Sequence, residues 1–67
     1  MKFSLQAQIA EVDRELAARK DVYARLVATR KLRESHANYQ LDLTRAVRAT
    51  LVWLQENEML IKQRLAP

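Results

Sequence analysis

The chain has 67 residues, with twelve basic against eight acidic side chains, a net charge of +4, no cysteine, no glycine and a single proline, Pro67. That length makes one domain over residues 1–67, near the lower limit for a core that stands alone. Without cysteine there is no disulfide, and one histidine, His36, offers no soft-metal ligand set. The staples of small domains are thus missing, which leaves oligomerisation or docking on a partner. β-Hairpins and phosphate-cradling loops depend on glycine, so an all-α fold without metal or cofactor is expected. The longest run of large apolar residues, Leu51-Val52-Trp53-Leu54, is too short to cross a bilayer. The opening MKFSLQAQIAEVD meets acids before it could build an export signal. A cytoplasmic protein with no membrane association is the expectation.

The first segment reads as a helix from about Ser4 to Ala28. Its apolar positions fall at Leu5, Ile9, Val12, Leu16, then Arg19, then Tyr23 and Leu26. This alternating spacing of four and three is a coiled-coil seam. A parallel series of small residues, Ala10, Ala17 and Ala24, lies beside it. Acids come early (Glu11, Asp13, Glu15) and bases late (Arg25, Arg30, Lys31), which complements the helix dipole. Arg19, at a seam position, should lay its stem along the core and send its head to solvent or to an interface carboxylate.

The stretch TRKLRES, Thr29 to Ser35, interrupts the seam by placing Arg30 and Arg33 where apolar residues belong. A reversal is expected at about residues 29–33. The alternative is one unbroken helix of about 60 residues, roughly 90 Å long.

A second helix is expected over about 34–65, completing an antiparallel, coiled-coil-like hairpin. At about 100° per residue, Leu43, Val47, Leu51, Leu54, Ile61 and Leu65 form one face, widened by Ala46, Trp53 and Leu60. Leu41, Val52 and Met59 lie on the remaining side. A helix apolar nearly all round expects more than one neighbour, and the narrow first seam cannot cover it. Self-association follows, most simply two hairpins in a four-helix bundle, so a homodimer. Leu16, Tyr23, Leu51, Trp53, Leu54 and Ile61 are the expected packing and interface residues, with Trp53 anchoring between protomers. Asn57 and Glu58 interrupt the apolar pattern as register-setting polar positions, or mark where the helix outruns its partner.

The run from Arg14 to Leu51 resembles short, uncharacterised helical proteins encoded in bacteriophages, prophages and proteobacterial genomes. Their pattern is approximately R-E-[IL]-A-x-R-x-x-V-Y-x-R-x-V, a short turn, K-[ML], and a later A-V-x-A-T-L-like helix. Matching positions are Arg14, Glu15, Leu16, Ala17, Arg19, Val22, Tyr23, Arg25, Val27, Lys31, Leu32, Ala37, Ala46, Val47, Ala49, Thr50 and Leu51. The resemblance implies a turn where the seam breaks and a phage-associated origin, and it implies no catalytic activity. Ala24 stands where such proteins often carry proline, Arg30 where they often carry a turn glycine, and Arg33 where serine or threonine caps the second helix.

The functional expectation is a non-catalytic, self-associating interaction module, a phage-type accessory protein acting on a host or phage protein. The alternative is a nucleic-acid-binding module. Its anion patch would combine Arg25, Arg30, Lys31 and Arg33, a stretch free of acids, with Arg45 and Arg48 across the hairpin. No aromatic residues punctuate that cluster as they do in single-strand binders. IAEVDREL loosely resembles the first helix of small helical enzymes of the chorismate mutase type, but a further helix that such a site needs is lacking.

Overall fold

A computed structural model describes residues 2–65, the side chain of Leu65 excepted. Helix α1 spans Leu5–Ala28, α2 Glu34–Glu56 and α3 Glu58–Leu65, and α1 packs against α2. Among the described residues there is no strand, which agrees with the all-α expectation. The structure has three helices where two were expected, because the second segment is interrupted at Asn57. The long axis is 56 Å, which excludes a single unbroken helix. Cross-helix bonds join Arg19 to Thr44 and Asp13 to Arg48, so late residues of α1 meet early residues of α2, an antiparallel return.

Helix α1 starts where its chemistry dictates. The Ser4 hydroxyl accepts from the Ala7 amide at 3.0 Å, satisfying one of the amides that a helix start leaves without a partner. Its half-buried positions include Leu5, Ile9, Val12, Leu16, Arg19, Tyr23 and Leu26, the whole alternating series read from the sequence. Ala10, Ala17 and Ala24 stay exposed.

The turn is closed by a paired capping motif. The Lys31 amide donates to the Leu26 carbonyl at 2.8 Å and the Arg30 amide to Val27 at 3.0 Å. These are the two bonds by which a helix satisfies its last carbonyls when the next residue turns left-handed. That residue is Arg30, with φ of 62°. Glycine takes this conformation without penalty, whereas an arginine Cβ crowds the backbone. The mismatch between residue and turn flagged by the sequence is therefore settled as backbone strain at Arg30. Helix α2 then begins after Arg33, which makes no side-chain capping bond. Glu34 in its first turn supplies favourable charge there.

The face α2 turns to α1 differs from the one its apolar spacing indicated. Facing α1 are Ala37, Leu41, Thr44, Arg48 and Leu51, again at alternating fours and threes, with Leu54 and Ile61 half-buried toward the α1 start. Leu43 and Val47, expected at the centre of the face, are each 49% exposed. The cause lies on α1. At this level its seam carries Arg19 and, beside it, Asp13, and two polar groups of α2 turn inward to meet them. Only Ala37 is buried among the described residues, at 4% exposure. The α1/α2 pair is a single layer, 14 Å in its thinnest dimension.

The break at Asn57 has a local origin. Its side-chain Nδ2 donates to the Trp53 carbonyl at 2.8 Å, and its own amide donates to the same oxygen at 3.1 Å. Asparagine competes in this way with the regular ladder. The chain resumes at once, since the Ile61 amide donates to the Asn57 carbonyl at 2.9 Å. Of the two sequence readings of Asn57 and Glu58, the second is nearer. α3 packs on the end of α2 and lies beyond the packed length of α1.

Candidate interaction surfaces

The expected packing residues divide into two groups. Leu16 and Tyr23 of α1, Leu51 and Leu54 of α2, and Ile61 of α3 are all half-buried on the inner side. Trp53 is not among them. It is 58% exposed and points away from α1, on the same outer stripe as Tyr39 and Ala46. Residues seven apart fall on nearly one line of a helix, so Tyr39, Ala46 and Trp53 form a continuous outer ridge on α2, with the exposed Leu60 on α3 beyond the break.

The six basic residues divide likewise. Arg25, Arg30, Lys31 and Arg33 are exposed at the turn, and none pairs with a carboxylate of a described residue. Arg45 lies about 18 Å further along α2 from Arg33, at 1.5 Å per residue. It pairs with Asp42 at 2.9 Å. Arg48 is held across the helices, its Nε donating to Asp13 Oδ1 at 2.6 Å. That hydrogen bond, reinforced by the carboxylate charge, pushes the guanidinium above its ordinary range. The structure thus brings four bases together at the turn and leaves two elsewhere, each on its own acid.

Among the described residues, shallow grooves and a larger hollow mark the surface. A groove of about 300 Å³ runs along one side of the pair, lined by Val12, Glu15, Arg19, Leu43, Thr44 and Val47. The opposite side carries one of about 250 Å³ between Tyr23, Ala24, Val27, Ala37 and Leu41, with Lys20 and Glu34 at its edge. A third, beside the turn, is formed by Val22, Arg25, Leu26, Thr29 and Lys31. The larger hollow, about 590 Å³ and open to solvent, lies where the chain start meets the α2/α3 junction. Phe3, Leu5, Leu54 and Ile61 give it an apolar floor, with Lys2 and Lys62 on its rim. Lys2 sits over the Phe3 ring at 5.8 Å, and Lys62 pairs with Glu58 at 3.2 Å. Sequence reasoning passed over this hollow, because its walls come from segments some fifty residues apart and Phe3 lies outside either seam.

No known protein family, no curated protein and no solved structure matches the chain.

The side chains offer binding surface in plenty. Arg19, at the level of the first groove, donates to Thr44 at 2.8 Å and pairs with Glu15 of its own helix at 3.1 Å, so its head reaches a hydroxyl of α2 and a carboxylate of α1. Arg14 pairs with Glu11 on the exposed surface of α1. His36 is exposed, and among the described residues no three histidine, cysteine or acidic groups cluster as metal ligands. Among the described residues no helix is long and apolar enough to cross a membrane. Large apolar side chains, in contrast, remain widely exposed: Leu43 and Val47 on one side, Trp53 on the outer ridge, and Phe3, Met59 and Leu60 near the far end.

Proposed function

We propose that the chain is a small interaction module that acts by binding, and that its first partner is itself. The observation carrying this reading is surface area. A folded monomer of 7.8 kDa exposes about 4,400 Å², whereas this chain exposes 5751 Å². Its radius of gyration is 16.0 Å, against about 11 Å for a compact chain of this length. The surplus is of the size that a specific interface removes. Two antiparallel hairpins, α3 continuing α2 past a one-residue break, would assemble into a coiled-coil-like bundle with a dimer as the simplest closed form. A phage-type accessory role, with a host or phage protein bound by the assembled module, is the biological setting that the sequence resemblance suggests.

Light scattering on the purified chain tests this at low and high salt, about 50 and 500 mM, which bracket the screening range. A dimer that persists at both supports an apolar interface. A monomer at both, at concentrations well above micromolar, overturns it.

A second reading is favoured by the turn alone. Arg25, Arg30, Lys31 and Arg33 are exposed together with no carboxylate of a described residue paired to them, which suits a phosphate backbone. Binding of nucleic acid there would weaken steeply with salt, whereas apolar self-association would hardly respond.

A further inference from the structure

Helix α2 carries two alternating four-three seams, offset by one residue. The first, Ala37, Leu41, Thr44, Arg48 and Leu51, is turned to α1. The second runs Gln40, Leu43, Val47, Thr50 and Leu54. Its second and third members, Leu43 and Val47, line the side groove and are half exposed. A helix of a bundle touches two neighbours through two such seams, whereas one in an isolated pair needs one. From this pattern we propose that the second seam is filled by a second copy of the chain, related by a two-fold axis perpendicular to the helices. This rests on the self-association reading above and specifies its face and register.

The register follows from what meets what. Apolar side chains are densest at Leu43 and Val47, so the axis passes between them and each Leu43 faces Val47 of the other chain. Gln40 then faces Thr50, polar against polar. The same axis must serve α1. Arg19 meets Thr44 and Asp13 meets Arg48 across the pair, which puts the level of the axis between Leu16 and Ala18; Leu16 faces α2, so Ala18 is the residue available there. It lies three residues beyond the groove-lining Glu15 and therefore on the same side. With Ala18 facing its own copy, the small side chain lets the two α1 helices approach. Val22, seven residues beyond Glu15, adds apolar surface on that side.

Charge agrees with this placement. Glu11 is as far before Ala18 as Arg25 is after it. Antiparallel stacking about Ala18 therefore sets each Glu11, already paired with Arg14 of its own chain, beside the partner chain's Arg25, which adds a second cation to that carboxylate. Arg25 borders the groove beside the turn and has no carboxylate partner among the described residues. Parallel stacking would set Glu11 and Glu15 against their like, which is repulsive. The opposite side of the pair is a poorer candidate. It presents Lys20, Asp13 with Arg48, and Arg45, and its apolar residues Tyr23, Val27 and Leu41 are half-buried between the helices, whereas Leu43, Val47 and Val22 stand exposed on the first side.

The absence of native cysteine makes the test direct. Leu43→Cys and Val47→Cys proteins are mixed and oxidised mildly, alongside Ala18→Cys alone and Ala17→Cys alone. Ala17 lies on the far flank of α1. The expected result is a mixed Leu43–Val47 disulfide several-fold above either self-disulfide, and efficient self-linking of Ala18→Cys but not of Ala17→Cys. Wild-type mass and helicity are measured in parallel, with each variant's circular dichroism confirming that it folds. A wild-type dimer whose Ala17→Cys variant links as readily as Ala18→Cys overturns the face and register while leaving self-association standing. A wild-type monomer overturns both.

Discussion

Arg48 of α2 reaches across to Asp13 of α1, Nε to Oδ1 at 2.6 Å, from a position on the inner seam of its helix. Heptad spacing would place an apolar residue there. Both side chains keep nearly half their surface in water, so solvent screens much of their attraction. The pair sets orientation more than stability. It turns Arg48 inward and thereby swings Leu43 and Val47 out to the side.

Replacing Arg48 with leucine should therefore leave the melting temperature unchanged or raise it by a few degrees, since the new side chain suits the seam. Thermal denaturation followed by circular dichroism measures this, and a large drop would show that the ion pair dominates. The pH response follows from the direction of the shift. Bonding to Asp13 raises the Arg48 pKa in the folded state. Its contribution is then complete below the ordinary arginine range and fades only as pH climbs through the raised value. Through this residue, stability should be flat across neutral pH.

Arg30 gives the second expectation. A non-glycine residue with φ of 62° costs about 1–2 kcal/mol. Glycine removes that strain but gives back part of the gain through a freer unfolded chain. Arg30→Gly should stabilise by about 0.5–1 kcal/mol, several degrees in a domain this small. A β-branched residue such as valine should melt below wild type. If Arg30→Gly melted lower, the left-handed turn would be contradicted.

The third concerns the break between α2 and α3. Asn57 uses its side chain on the Trp53 carbonyl, an acceptor its own amide already employs. Alanine removes the competition and is the better helix former by about 0.5 kcal/mol. Asn57→Ala should join the two helices, raising the 222 nm ellipticity and protecting the amides around residue 58 from exchange. Unchanged exchange at that point would mean the break is imposed by something other than the asparagine.

These residues also show what could be read in the sequence. Helix α1 was legible because what defines it is local: a four-three series from Leu5 to Leu26 and the loss of that series at Arg30. The turn was legible for the same reason. The inner face of α2 was not. Its apolar residues spread over most of the cylinder, so its own spacing could not choose a side. The choice was made by Arg19 and Asp13 on the other helix, drawing in Thr44 and Arg48, and pairing across segments leaves no mark in either segment's periodicity. Trp53, expected as an anchor between protomers, stands on the outer ridge for the same reason, since an inward Leu51 leaves a residue two places on near that ridge. At Asn57 the polar interruption was visible, but its effect on the ladder depends on a rotamer.

Leu51 and Trp53 make the fourth expectation, and they test the orientation of α2 directly. Leu51 is half-buried toward α1, while Trp53 is 58% exposed on the far side. Half-burying a leucine contributes about 1–1.5 kcal/mol from area alone, and truncation leaves a gap besides. Leu51→Ala should therefore destabilise the fold by about 1–2 kcal/mol, a shift of several degrees or more. Trp53→Ala should cost about 0.5 kcal/mol or less, in line with other surface changes. Under the two-fold arrangement it should also leave the dimer mass unchanged, because the outer ridge of Tyr39, Ala46 and Trp53 lies away from the Leu43–Val47 side. Urea denaturation and light scattering on the two variants read both quantities. A Trp53→Ala protein that folds normally but turns monomeric would move the self-association surface from the side groove to the outer ridge.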